Sequence, residues 1–370
     1  MDKKFKNIST AEGSLKFLGF ENLGLEILLD LSLHLSKAIR FCVYVISFFS
    51  MMGLTSMAQA QKNDVWMGFV QVRPNKELYV EYTKPRSGKP TVVLLHGLTY
   101  TTFQWDRFAA GLVRQGIGVV NFDFDGMGQT LLKQAPVLQI IPYEQQVQDT
   151  LQVLKSLQVS PPFNLVGLSY GGGIGIHFAA TFPRLVGNLV LMAPFTEPLQ
   201  SQDQWIKAQI WATKQMFPWN AASDDELYDY FLRQIIYATY PQAEPIVLEN
   251  PFKLEAIFRL VQGIRKFNAS VDAPALPRRS VHLMVAAQDQ YIPRKVMDDF
   301  WNEVPEKSRA SRIIIYGADH KIPESVPLFS SAWVAKLLTR ESSFVSGETF
   351  EGFPLSGEAK SESETIKVDQ

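Results

Sequence analysis

Short apolar runs alternate with longer amphipathic stretches from about residue 77 to about residue 340. The apolar runs have the length of strands and lack polar alternation, which is typical of strands that are buried on both faces. They lie at residues 91–95, 118–122, 163–166, 189–192, 281–285 and 313–316, after an earlier strand at 78–82. Between two of these runs, Val147, Leu151, Leu154 and Leu157 recur at helical spacing. The pattern predicts an α/β sheet whose strands are joined by crossover helices.

One segment, residues 195 to about 275, interrupts this alternation. It is rich in Trp, Tyr, Phe and Gln, and Leu227, Phe231 and Ile235 follow helical spacing. We therefore predict a helical insertion between two strands of the sheet. Its aromatic residues could line an apolar acyl site, but an aromatic stripe on a helix more often belongs to a core; they include Trp205, Trp211, Phe217 and Trp219.

The N-terminal region carries a different signal. Residues 41–61 read FCVYVISFFSMMGLTSMAQAQ without a charged side chain, and Lys37 and Arg40 stand directly before them. A basic flank, an apolar run and a small-x-small site at 58–60 form a secretory signal. We predict cleavage after Ala60 and export to the periplasm or the medium. The alternative is an uncut membrane anchor, because about 20 uncharged residues can span a bilayer.

These patterns divide the chain into five segments. We predict an N-terminal extension with signal peptide or anchor at 1–60, a helical insertion at 195–275, and an α/β core made of residues 61–194 and 276–340. Residues 341–370 are rich in Ser, Gly and Glu and contain few apolar side chains. Such a composition predicts a disordered, acidic tail.

Composition narrows the classes of function. With 46% hydrophobic and 20% charged residues among 370, the chain has enough apolar material for a globular core. A net charge of −1 provides no basic field for phosphate backbones, so we expect no nucleic acid partner. Five His and the single Cys42 are too few for zinc fingers or iron–sulfur clusters, and we expect no metal or organic cofactor.

A serine motif follows the predicted strand at 163–166. The residues Gly167-Leu168-Ser169-Tyr170-Gly171 match G-x-S-x-G and lead into a stretch of small residues that opens a helix. A sharp turn from strand to helix places strained backbone at the serine and leaves no space for side chains two positions before and after it. The sequence therefore predicts Ser169 as a nucleophile at the edge of the sheet.

A serine nucleophile needs a histidine base within hydrogen-bond reach. Four of the five histidines are poor candidates. His34 precedes the mature chain, His282 lies in a buried strand, His96 more naturally orders its turn, and His177 lies eight residues after Ser169, roughly 12 Å along the helix axis. His320 follows the strand at 313–316, at the strand end where open α/β sheets bind ligands. We predict His320 as the base.

The base needs a carboxylate, and the oxyanion intermediate needs two N–H donors. Asp289 stands just beyond the strand at 281–285 and is our predicted acid; the alternatives are Asp319 and Glu197. The order Ser, Asp, His is the one expected for this architecture. For the oxyanion hole we predict the amide of Tyr170, after the nucleophile, and the amide of Leu98 in the turn at 96–99.

Several motifs in register give the chain a resemblance to the α/β-hydrolase superfamily over about residues 75–340. They are LLHGLTYTTFQWD, NFDFDGMGQT, GLSYGG, QDQYIP and GADH. The resemblance implies a mostly parallel eight-stranded sheet flanked by helices, with a helical cap between strands six and seven, where the predicted insertion lies. It also implies Ser169 as nucleophile, His320 as base, Asp289 as orienting acid and the amides of Leu98 and Tyr170 as oxyanion hole.

Two of these motifs also narrow the choice of subfamily within the superfamily. Serine at position 169 argues against the dehalogenases and epoxide hydrolases, which use aspartate, and the turn at 96–99 is not the Gly-rich H-G-G-G type. We therefore expect an exported serine hydrolase that cleaves carboxylic esters of small molecules or lipids. Carbon–carbon bond hydrolases and cofactor-free haloperoxidases share the same triad and remain alternatives. A non-catalytic binding module and an envelope protein anchored through residues 41–61 are the alternatives from other classes.

Overall fold

A computed structural model describes residues 65–198, 200–239, 252–339 and 346–368, and the predicted signal or anchor at 41–61 lies outside these ranges. Within them, eleven strands form a single sheet in the order β1-β2-β4-β3-β5-β6-β7-β8-β9-β10-β11. The strands are β1 (Val65–Arg73), β2 (Lys76–Thr83), β3 (Thr91–Leu95), β4 (Gly118–Phe122), β5 (Phe163–Leu168), β6 (Val186–Met192), β7 (Val281–Ala286), β8 (Arg309–Ile315), β9 (Glu348–Phe353), β10 (Glu358–Lys360) and β11 (Thr365–Lys367).

The centre of the sheet is parallel from β4 to β9, and both margins are antiparallel. β1 and β2 form a hairpin on one side, and β9, β10 and β11 form a meander on the other. The parallel strands end at one edge, since Leu168 pairs with Met192, Met192 with Met284, and Ala286 with Ile315. The predicted mostly parallel α/β sheet is confirmed.

Helices connect these strands. They are α1 (Asp106–Arg114), α2 (Gly128–Gln134), α3 (Tyr143–Ser156), α4 (Tyr170–Thr181), α5 (Gln200–Met216), α6 (Asp224–Thr239), α7 (Lys253–Ile264), α8 (Ala269–Asp272), α9 (Arg294–Glu303), α10 (Ile322–Ser325) and α11 (Pro327–Thr339). Two short 3₁₀ helices span Thr102–Trp105 and Ala273–Ala275.

Alternate residues of the central strands point to opposite faces, and each face has its own apolar core. In β3, Val93 and Leu95 pack into the core that α3, α4 and α9 cover. Val92 and Leu94 pack into the core that α1 and α11 cover. Because both faces of the central strands contribute residues to an apolar core, most of their positions are apolar and they appear as apolar runs in the sequence.

The segment between β6 and β7 contains the helices α5 to α8. The first three of these helices build a small core of their own, whose buried members are Ile206, Ile210, Leu227, Leu232, Ile236, Ile257 and Phe258. The prediction that aromatic residues of this segment more often belong to a core is wrong for four of them. The exposed fractions are 46% for Trp205, 68% for Trp211, 47% for Phe217 and 77% for Trp219. The aliphatic side chains already fill the space between the helices, so these aromatic rings lie outside it.

The C-terminal residues correct two expectations: the tail after residue 340 is not disordered over residues 346–368, and the sheet has more than eight strands. β9 pairs in parallel with β8. Phe350 is fully buried against Trp333, with ring centroids 5.2 Å apart. Buried and exposed residues alternate in β9, and few apolar side chains suffice for a strand that contributes only its inner face to a core.

Candidate active site

Ser169 stands at the sharp turn between β5 and α4. Its φ of 50° and ψ of −115° are strained for a residue with a side chain, and surrounding hydrogen bonds hold them in place. The Ser169 amide donates to the carbonyl of Met192 at 3.1 Å. Its carbonyl accepts from the amides of Phe195 at 2.8 Å and Gly173 at 3.1 Å. The side chain is partly exposed at the end of the strand, so the turn presents a hydroxyl to incoming molecules.

Two glycines of the motif are required by close backbone approach. A Cβ on Gly167 would lie 2.4 Å from the carbonyl oxygen of Gly171. A Cβ on Gly171 would lie 2.0 Å from the carbonyl oxygen of Leu95 and 2.7 Å from that of His96. The second contact also shows that the end of β3 and the start of the turn after it lie directly against the nucleophile elbow, the sharp turn at Ser169 from β5 into α4.

Asp289 and His320 form a hydrogen-bonded pair at the ends of β7 and β8. His320 Nδ1 lies 2.8 Å from Asp289 Oδ2, and the two side chains are only 12% and 5% exposed. The other carboxylate oxygen, Oδ1, accepts from the amides of Tyr291 and Ile292, both at 2.8 Å. Because an ionised carboxylate only accepts, Nδ1 carries the proton and Nε2 becomes the basic nitrogen. The ring of Tyr291 lies edge-on against His320, with centroids 5.2 Å apart.

The structure brings Ser169, Asp289 and His320 to the same edge of the sheet. Each follows the carboxyl end of a parallel strand of the contiguous set β5, β6, β7 and β8. Ser169 comes directly after β5, Asp289 three residues after β7, and His320 five residues after β8. Asp319, the neighbour of His320 in sequence, instead accepts from the amide of Lys321 at 2.9 Å. Asp289, rather than Asp319 or Glu197, is therefore the carboxylate beside His320 Nδ1.

The turn after β3 is organised by the fully buried ring of His96. Its Nδ1 lies 2.9 Å from the Gly97 carbonyl oxygen, and Nε2 accepts from the Phe124 amide at 3.2 Å. Burial lowers the pKa of His96 to about 4, so the ring is neutral and donates through Nδ1. In a planar trans peptide the C=O and the next N–H point in opposite directions. His96 therefore directs the Leu98 N–H away from itself.

Tyr170 opens helix α4 and is buried, with its ring edge-on against Phe124 at 5.7 Å between centroids. The first amides of a helix have no acceptor within the helix and lie at its partially positive end. The Tyr170 N–H is one of these first amides and directly follows Ser169 in the chain.

The other histidines have different partners. His177 Nδ1 lies 2.9 Å from Asp272 Oδ2, and its ring packs edge-on against Tyr143. His282 is buried in β7 beside Ser311, at 2.8 Å. His34 lies outside the described residues.

Sequence reasoning missed two side chains near the turn. Gln104 is 3% exposed and hydrogen-bonds to the Gly97 amide and to Glu324. Asp123 is fully buried and accepts from the amides of Thr102 at 2.6 Å and Gln129 at 2.7 Å. Burial raises the pKa of Asp123 to about 7. No spacing rule marks Gln104, because its partners lie 7 and 220 residues away in sequence.

A cavity of about 500 Å³ lies between α5 and α6. Three ion pairs occupy its wall, made by Lys207 with Asp203, Lys214 with Asp224, and Arg265 with Asp225. Walls of this polarity suit an acyl chain poorly. Of Trp205, Trp211, Phe217 and Trp219, only Trp211 lines it.

In the part of the chain that the structure covers, no three His, Cys, Asp or Glu side chains are grouped to hold a metal ion. Likewise, none of the described helices is both long and apolar enough to cross a bilayer.

Comparisons with known proteins identify the family and the fold. The family model described as serine aminopeptidase, S33, matches residues 86–324, a range that contains Leu98, Ser169, Tyr170, Asp289 and His320. Protein phosphatase methylesterase 1 of Mus musculus is 29% identical over 121 residues. This match covers 32% of the chain and 31% of the mouse protein, so the chain spans about a third of that relative's length.

Two solved structures share the fold. An α/β-hydrolase enzyme from a Medee basin deep-sea metagenome library covers 75% of this chain and 99% of its own, with a TM-score of 0.55 and 16% identity. The esterase from Exiguobacterium antarcticum covers 74% of this chain and 100% of its own, with a TM-score of 0.54 and 16% identity.

Proposed function

We propose a function for this chain from one premise: it belongs to the S33 serine aminopeptidase family of α/β hydrolases. Our proposal is that it cleaves carboxylic esters through an acyl-enzyme on Ser169. The observation that carries it is the 2.8 Å contact between His320 Nδ1 and Asp289 Oδ2. A buried carboxylate on Nδ1 makes the opposite nitrogen a base, which a serine nucleophile needs.

In the first half of the proposed cycle, Ser169 Oγ attacks the ester carbonyl carbon while His320 Nε2 takes the hydroxyl proton. The carbonyl oxygen becomes an oxyanion that accepts hydrogen bonds from the amides of Leu98 and Tyr170. Collapse of this intermediate breaks the bond to the alcohol, which leaves with the proton from His320. In the second half, water loses a proton to His320 and attacks the acyl carbon, which forms a second oxyanion intermediate. Its collapse breaks the bond to Ser169 Oγ, which takes the proton back from His320, and the carboxylic acid leaves.

Similar proteins point to two substrate classes, esters and amides. Among similar proteins are a methylesterase and an esterase by name, whereas the family description names an aminopeptidase. Identity to the esterase is 16%, and the methylesterase match covers 31% of that protein. We favour esters because their alcohol leaves more easily than an amine, and we include amides in the test.

We also propose that the protein is exported, either cleaved after Ala60 or anchored through residues 41–61. The uncharged run and its basic flank support this location. Mass spectrometry of the native N-terminus tests it: a start at Gln61 indicates cleavage, and recovery of residues 1–60 in an alkali-resistant membrane fraction indicates an anchor. Full-length protein in the soluble cytosol would refute both forms.

The test of the activity uses the full chain and a variant with Ser169→Ala. Hydrolysis of p-nitrophenyl esters from acetate to palmitate is measured beside the matching p-nitroanilides, and both proteins are treated with a fluorophosphonate probe. Ester turnover and labelling that vanish in the variant support the proposal, and the best chain length sizes the acyl site. Faster turnover of anilides would replace the ester class by amides. If the wild type shows no turnover and no labelling, the proposal is refuted and a binding role remains for this fold.

A further inference from the structure

Gln104 lies in the 3₁₀ helix Thr102–Trp105, with its side chain buried between two parts of the active site. Its Oε1 accepts from the Gly97 amide at 2.8 Å, and its Nε2 donates to Glu324 Oε1 at 2.9 Å. The two partners fix the orientation of the amide group, because the backbone N–H needs an acceptor and the carboxylate needs a donor.

The backbone that carries Gln104 is itself held by buried polar groups. The Thr102 amide donates to Asp123 Oδ1 at 2.6 Å, and the Thr102 carbonyl accepts from Asn121 Nδ2 at 2.8 Å. The Gln104 amide donates to the Thr101 carbonyl at 3.0 Å. The Gln104 side chain therefore extends from a fixed backbone. Its two hydrogen bonds join the turn at Gly97 to the helix that contains Glu324.

At one end, Gln104 acts on the peptide that precedes the oxyanion turn. The Gly97 N–H is bound by Gln104 and the Gly97 carbonyl by His96, so buried side chains satisfy both polar groups of Gly97. Gln104 thereby holds the His96–Gly97 peptide, and His96 holds the Gly97–Leu98 peptide that carries the Leu98 N–H. Loss of the Gln104 contact frees the first peptide to rotate, and the second peptide follows because the two share Gly97.

At the other end, Gln104 holds the start of α10, four residues after His320. A second contact joins the same two loops: Lys321 Nζ lies 5.6 Å from the centroid of the Tyr100 ring. The loop with the base and the turn with the oxyanion donor are thus linked across the site.

We propose that Gln104 is a positioning residue that keeps the Leu98 amide and the His320 loop in register for the transition state. This inference rests on the proposed function and adds a residue to it. Loss of the link removes no catalytic group, but it lets the Leu98 amide and the His320 loop shift relative to each other. A displacement of about 1 Å can cost on the order of 10²-fold in rate. The main loss should appear in kcat, because substrate binding does not use the oxyanion donors fully.

The chain offers a test by exchange of partners. Gln104→Leu removes both hydrogen bonds at similar volume, and Gln104→Glu places a carboxylate against Glu324. The double variant with Gln104→Glu and Glu324→Gln reverses the amide and the carboxylate and restores a donor and an acceptor at each contact. Glu324→Gln alone is the matched control, since it keeps an acceptor for Gln104 Nε2.

Activity on the best p-nitrophenyl ester and the affinity for an alkyl boronic acid, which mimics the tetrahedral intermediate, are measured with the urea unfolding midpoint. We expect kcat to fall about 10- to 100-fold in Gln104→Leu and Gln104→Glu with little change in KM. Boronate affinity should weaken in proportion, Glu324→Gln should stay within about threefold of wild type, and the exchanged pair should recover most of the lost rate.

The outcomes separate the two proposals. An inactive wild type that also resists the fluorophosphonate probe defeats the proposed function. An active wild type whose Gln104 variants keep kcat, or lose kcat only in step with the unfolding midpoint, overturns the positioning role. Failure of the exchanged pair to recover the rate, while it folds as stably as wild type, overturns it as well.

Discussion

Asp289 holds His320 through one carboxylate oxygen and its own loop through the other, which accepts the amides of Tyr291 and Ile292. The carboxylate therefore orients the imidazole, which stands on the loop after β8, and fixes its own loop after β7. Replacement of an oxygen by an amide nitrogen would keep the shape and remove the acceptor that selects the Nδ1–H tautomer.

The first prediction concerns this pair. Asp289→Asn should lower kcat by on the order of 10³- to 10⁴-fold, because the ring would present the wrong nitrogen to Ser169. The rate of fluorophosphonate labelling should fall with it. Asp319→Asn is the control, since Asp319 accepts from the Lys321 amide and has no contact with Nδ1 of His320. Equal losses of kcat in the two variants would show that a disturbed loop, and not the wrong tautomer of His320, causes the loss.

The second prediction separates an ordering role of His96 from a role as base. His96→Leu removes the donor to the Gly97 carbonyl and should lower kcat about 10²-fold, as the loss of one oxyanion donor does. His96→Asn places an amide N–H near the position of Nδ1 and should retain most of the activity. A complete loss in both variants, with intact folding by circular dichroism, would contradict this assignment.

The third prediction concerns the space at the elbow. Gly171→Ala would put a methyl group 2.0 Å from the Leu95 carbonyl oxygen, so α4 must shift and carry Ser169 with it. Activity should fall by about 10²-fold or more. Gly175→Ala lies on the same helix, where the nearest atom is the movable end of the Leu189 side chain at 3.2 Å. That variant should remain active, and equal inactivation of both would exclude the elbow contact as the cause.

The fourth prediction is a pH dependence of stability. His282 lies fully buried inside a hydrogen-bonded row that crosses five strands, from Ser311 through His282, Asn188 and Asn164 to the Thr91 carbonyl. Burial lowers the pKa of His282 to about 4, as it does for His96. Between pH 6.5 and 4 the unfolded chain binds these protons and the folded chain does not, so this stabilisation is lost as the pH falls.

Asp123, whose pKa is raised to about 7, acts in the opposite sense, because the folded state holds its proton between pH 4 and 7. Urea unfolding from pH 4.5 to 6 tests both signs. His282→Asn should reduce the slope of the unfolding free energy against pH by up to about 1.4 kcal/mol per unit, and Asp123→Asn should increase it by a similar amount. Unchanged slopes would mean that these groups titrate alike in both states.

The sequence predicted the parts of this molecule that depend on local pattern. Strands buried on both faces appear as apolar runs, so the fold class could be predicted. The turn at Ser169 requires glycine at positions 167 and 171, so its position could be predicted as well. The pairing of Asp289 with His320 followed from strand ends that meet at one edge. Gln104 could not be found in this way, since it acts through partners that only the folded chain brings near.

The C-terminal strands show the opposite failure, in which composition concealed structure. Averaged over residues 341–370, Ser, Gly and Glu outweigh the apolar residues, although Phe350 and Ala359 are fully buried. A strand at the margin of a sheet needs apolar side chains only at alternate positions, and two or three of them disappear in an average over thirty residues.

The fifth prediction follows from this margin. Phe350→Ala would empty a site against Trp333 and should reduce the free energy of unfolding by about 3–5 kcal/mol, the usual cost for a buried phenylalanine. Leu355→Ala is the control, because Leu355 is fully exposed in the turn after β9 and should change stability by less than about 0.5 kcal/mol. Urea midpoints compare the two. If the Phe350 variant unfolds at the wild-type midpoint, β9 contributes nothing to the core, and the expectation of a disordered tail would be restored.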